Sequence, residues 1–185
     1  MRKEYTDIAV QGVKLFQTLI RESERAIVVL GVAQIDSDLE RLLKHVLHPS
    51  PSKSSDDLFD PSRPLGSFSS RITLAHRMGI FDDEFVKVLN ILRKIRNDFA
   101  HNAAEPNLDL ERHRNRVEEV AKWAQNDAAY IRGVEQGTFP DMPLLRKKFI
   151  ACVITVMLIL RTGMLEMQVV NVGYRLKPDP DFLPT

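Results

Sequence analysis

Residues 82–101 read DDEFVKVLNILRKIRNDFAH. At about 100° per residue, Phe85, Val88, Leu89, Leu92, Ile95 and Phe99 fall on one stripe. The segment is therefore expected to form a helix with one side in a core. Asp82 and Asp83 open it, as the helix macrodipole favours. Arg96 falls inside the apolar stripe. A charge aimed at a core is costly unless something pairs with it. So either a carboxylate waits for Arg96, or this face lines a site. Arg93, Asn97 and His101 are spaced four apart and form a second, polar face.

Working outward towards the N-terminus, Thr6–Glu22 has Ile8, Val13, Phe16, Leu19 and Ile20 at near-helical spacing, with Thr6 or Asp7 as a cap. Ser23–Leu47 follows directly with a broad apolar face. Gly31 and Ala33 on it would admit a second helix closely. Asp36 and Asp38 lie near its middle. Asp38, on the margin of the apolar face, is the first candidate partner for Arg96, and Asp36 the second. His48–Gly66 is the clear break, with four prolines and five serines; so long an irregular connection is functional or flexible. Leu58 and Phe59 are its expected anchors. A further helix is expected from a Ser67 cap to a Gly79 stop.

Towards the C-terminus, Asn102–Asn107 reads as a turn. Leu108–Arg132 reads as one charged helix with Trp123 at its boundary. Gly133–Pro143 is another break. Leu144–Met167 is the most apolar helix and is expected at the centre. Residues 168–185 read as an arm, extended at first and proline-rich at its end. There are no repeats and no strand series. The expected architecture is an all-α bundle of about six to seven helices, forming a single domain over residues 1–167.

Composition narrows the classes. Apolar residues make up 44% of 185, enough for a core. The net charge of +1 argues against non-specific nucleic-acid binding. The single cysteine, Cys152, cannot form an internal disulfide and sits in an apolar run, which fits a reducing, cytoplasmic setting. The N-terminus lacks the apolar core of a signal peptide. The apolar run Phe149–Leu160 is short for a bilayer span and is flanked by basic residues, so no membrane association is expected.

Three constellations carry possible chemistry. Arg96 and His101 suit a ribonuclease, with His101 acting on a ribose 2′-hydroxyl and Arg96 stabilising charge on the phosphate. On one ideal helix they point about 140° apart, so a frayed helix end or a second subunit is required. The structural alternative pairs Arg96 with a carboxylate and has His101 cap a helix C-terminus. Gly66 and Ser67 open a helix ahead of Arg71 and His76. They suit either an anion held by free backbone N–H groups or a simple cap. Two basic clusters, Arg112-His113-Arg114-Arg116 and Arg146-Lys147-Lys148, suit phosphate contacts or a solvated helix face. His45, His48, His76 and His113 lack metal-ligand spacing. Nothing in the pattern calls for a metal or a small-molecule cofactor. The helix pair around residues 67–101 has a short turn, but its second helix is too apolar to be a DNA recognition helix.

Ser23–Ile27 leading to Ile35-Asp36, the stretch PLGSFSSRI (64–72), and ILRKIRNDFAH (91–101) together resemble the mannitol operon repressor (MtlR-like) family over about residues 8–160. The resemblance implies an all-helical bacterial protein that regulates transcription of a sugar-alcohol uptake operon. That family lacks a standard DNA-binding motif, which implies action through a protein partner or, failing that, on operator DNA. The RNDFAH end also looks like the Arg-x4-His motif of HEPN domains, helical bundles that are often dimeric and often metal-independent ribonucleases. On that resemblance Arg96 and His101 would be the catalytic pair, Asn97 the polar residue beside them, and a homo-oligomer would bring two helix ends together.

Overall fold

A computed structural model describes residues 3–50, 56–101, 107–135 and 141–170. Within these, seven α-helices and one 3-10 turn account for the regular structure, and no strand occurs among the described residues. In chain order the helices are α1 (Lys3–Leu19), α2 (Glu24–Val46), α3 (Phe68–Arg77), α4 (Asp83–His101), α5 (Glu111–Ala124), α6 (Ala128–Glu135) and α7 (Leu144–Glu166). This is the all-α bundle expected from the periodicity.

The centre is α7. Every residue from Phe149 to Met157 is buried, so this stretch has no solvent face. A helix apolar all round must be covered on every side, and α1, α2, α5 and α6 cover this one. At 23 residues, α7 is long and apolar enough to cross a membrane by length and composition; the helix outruns the Phe149–Leu160 segment. Gly31 of α2 sits against it, where a Cβ would lie 3.2 Å from Val153 Cγ1. Ala33 faces solvent instead. A second layer forms where α2 also packs on α3 and α4, and α5 bridges α4 to α7.

The caps follow local chemistry. Ser23 accepts from Ala26 N–H at the start of α2 (3.2 Å). Ser67 and Ser70 form a reciprocal capping box at α3. Gly79 ends α3 in the left-handed region (φ 72°), and the Ile80 N–H reaches back to Ala75 O (3.0 Å).

Several boundaries differ from expectation. Helix α1 begins at Lys3, so neither Thr6 nor Asp7 caps it. The stretch Leu108–Arg132 is two helices, because Asp127 interrupts it; its carboxylate accepts from Ala129 N–H (2.7 Å) and opens α6. In the loop before α3, Phe59 is buried but Leu58 is exposed. Of the expected arm, residues 168–170 run beside the end of α2, with Val170 N–H donating to Val46 O (2.7 Å); residues 171–185 lie outside the described residues, as do most of the turn 102–107 and part of the loop 48–66.

Candidate functional site

The two motif segments converge on one face of α2. Asp36 and Glu40 stand one helical turn apart there. Arg71 of α3 lies between them, with Nη1 2.6 Å from Asp36 Oδ1 and Nη2 2.8 Å from Glu40 Oε2. Its Nε donates to Leu65 O at 2.9 Å. This guanidinium is buried, and three acceptors on two elements satisfy it, the fork geometry arginine favours. Phe59 completes the junction: Lys44 Nζ lies 4.8 Å and Arg71 Cζ 5.9 Å from its ring centroid.

Arg96 of α4 approaches the same junction without closing on it. Burial of the Asp36 carboxyl, together with the Glu40 charge one turn away, outweighs the hydrogen bond and charge of Arg71 and the charge of Arg96. Asp36 is therefore held above its ordinary value. The expected pairing of Arg96 with Asp38 or Asp36 does not form. Asp38 is fully buried and is engaged by Arg161 of α7 (Nη2–Oδ2 3.0 Å) and by Arg41 (3.4 Å). Asp36 is held by Arg71. Arg96 is only half-buried and donates instead to its neighbour Asn97 (Nη1–Oδ1 3.1 Å). The reason is that Arg71 and Arg161 already occupy both carboxylates, and Arg96 keeps part of its surface in solvent.

The polar face of α4 is open. Arg93 is half-buried and bonds Asn90 Oδ1 (Nη2, 3.3 Å). His101 is exposed. Arg25 of α2 donates to Ala100 O (3.3 Å), a cation at the carbonyl end of α4. Helix α4 remains regular through His101. Within one chain, Arg96 and His101 thus keep the roughly 140° separation of an ideal helix.

Gly66 and Ser67 serve the backbone. A Cβ on Gly66 would collide with the carbonyl oxygens of Asp60 and Pro61, so the turn admits only glycine. Ser67 Oγ already accepts from Ser70 N–H (3.1 Å).

The basic clusters also separate. Arg112 and Arg114 are exposed, but His113 is fully buried. Its Nδ1 is 2.9 Å from Asn107 O and its Nε2 3.3 Å from Asp98 Oδ2, while Arg116 Nη1 reaches the same oxygen at 2.6 Å. Burial pulls the Asp98 carboxyl upward, but the hydrogen bonds and charges of Arg116 and His113 outweigh it and hold it below its ordinary value. Arg146 is not a solvated residue either: it donates to Glu22 O and Ile20 O past the end of α1. Lys148 pairs with Glu118 (2.6 Å). No group of three or more potential metal ligands occurs among the described residues.

No family model, curated protein or solved structure matches the chain.

Proposed function

We propose that this chain is a non-enzymatic, cytoplasmic, self-associating regulator of a mannitol or sugar-alcohol operon, acting through a protein partner. The observation that carries this reading is the junction at Asp36. The segments PLGSFSSRI and ILRKIRNDFAH, on which the resemblance rests, meet there across α2, α3 and α4. Arg71 and Ser67 serve the internal architecture of that unit, as expected of segments that define a scaffold. The modest net charge and the buried apolar stripe of α4 favour a partner over operator DNA. The test is expression of neighbouring sugar-alcohol transport genes in a deletion strain. Derepression that the wild-type chain reverses supports the reading, and unchanged expression of every such operon rejects it.

A second reading is favoured by the open polar face of α4. Half-buried Arg96 and Asn97 are hydrogen-bonded to each other, and exposed His101 ends the same helix. Two such ends facing across a dimer would make a HEPN-type ribonuclease groove. Cleavage of a labelled RNA pool in EDTA, lost in His101→Ala with an unchanged melting curve, would select this reading.

A further inference from the structure

A groove of about 290 Å³ opens where the start of α4 meets α5 and the end of α7. Leu42, Phe81, Phe85, Trp123, Ile159 and Met167 line it. Its aromatic wall is ordered by internal contacts: Phe81 meets Phe85 edge-on at 4.8 Å, and Phe85 lies 5.5 Å from Trp123. Trp123 is only half-buried and Ile159 is 37% exposed. A cleft of this volume accommodates one or two large side chains.

The rim gives the occupant its sign. Asp82 lines the groove, and Asp83 and Glu84 are exposed beside it. Helix α7 ends over the groove, where the His45 ring Nε2 lies 3.3 Å from Met167 O, so the sign of the rim comes from the carboxylates at the start of α4. Near the rim, Lys87 is paired with Glu119 (2.5 Å), Asp83 bonds His76 Nε2 (2.8 Å), and Lys122 is an exposed positive side chain next to Trp123. An apolar slot under an acidic rim complements a bulky apolar side chain between basic residues.

We propose that this groove docks a partner protein through a short segment carrying a large apolar side chain flanked by lysine or arginine. This gives a chemistry to the partner of the regulator proposed above and rests on that reading for its biological setting. The experiment addresses the groove alone. Trp123 is the one tryptophan of the chain, so its fluorescence reports occupancy. The full chain is titrated with an acetylated KRLFRK peptide and, separately, with its charge-reversed counterpart EELFEE. A saturable change in emission with the first peptide is expected, with at least tenfold weaker binding of the second. Asp83→Asn combined with Glu84→Gln should reduce that preference, and Ile159→Glu should abolish binding while the melting curve is kept. No saturable response, or equal binding of both peptides, overturns the assignment. The chain's own Tyr174–Lys177 is also basic and apolar. An emission change in peptide-free Tyr174→Ala/Leu176→Ala would mean that this segment fills the groove, and would equally overturn it. Binding with no effect of deletion on any operon would reject the regulatory reading and leave the groove assignment standing.

Discussion

Arginines that look alike in the sequence differ sharply in what holds them. Arg71 is buried with three acceptors, whereas Arg96 is half-buried with one neighbouring amide. Removing Arg71 strands Asp36, Glu40 and the Leu65 carbonyl in a poorly solvated junction. Arg71→Ala should therefore destabilise the fold by about 3–5 kcal/mol in urea denaturation. Arg96→Ala should cost about 1 kcal/mol or less. Acid unfolding should separate two carboxylates. Asp98 is held below its ordinary 3.8, so its contribution is present above that value and lost as pH falls through the folded pKa. Asp36 is held above 3.8, so its contribution is greatest below that value and lost as pH rises through the folded pKa. Asp98→Asn should flatten the loss of stability on acidification, and Asp36→Asn should steepen it, in denaturant midpoints measured across the acid range. The partner of Arg71 was open to sequence reasoning. Phe68, Ile72 and Ala75 place Arg71 on its own apolar stripe, and Asp36 and Glu40 form an i, i+4 acidic pair. His113 likewise shares a stripe with Val117, Val120 and Ala124. A run of neighbouring charges disguised it as surface.

Among the elements, those with strong periodicity were legible and those set by a single polar side chain were not. The stripe of α4, the cap at Ser67 and the stop at Gly79 all follow from spacing and turn chemistry. The division between α5 and α6 does not, because it depends on one Asp127 carboxylate taking the first N–H groups of α6. The 57–66 connection shows the same dependence on detail. Its course is fixed by a buried Phe59, the Leu65 N–H to Leu58 O bond (3.0 Å), and backbone packed against Gly66. Gly66→Ala should force that turn apart and lower stability by about 1–3 kcal/mol, visible as a lower melting temperature. Ser67→Ala removes only the cap and should cost about 1 kcal/mol. If the turn matters mainly by presenting Leu65 O to Arg71, the effects of Gly66→Ala and Arg71→Ala should be less than additive.

At the scale of the whole molecule, the apolarity of residues 149–160 foretold the central helix, while the arrangement of helices around it rests on long-range arginine contacts that no local pattern reports. Arg161 to Asp38 joins α7 to α2, and Arg146 joins α7 to the end of α1. Cys152 is buried in this centre, and burial pushes its thiol well above the ordinary range. At about pH 8.5, where a free thiol is half ionised, a thiol reagent should label the native protein only as fast as it unfolds and the denatured chain at once. The helix around which α1, α2, α5 and α6 assemble is synthesised after all of them. While a ribosome is still translating residues before 144, the sides of α1 and α2 that pack on α7, around Gly12 and Gly31, lack the surface they close against. The nascent chain then carries a long, sticky open seam that chaperones must shield, and folding is completed in one late step when α7 emerges.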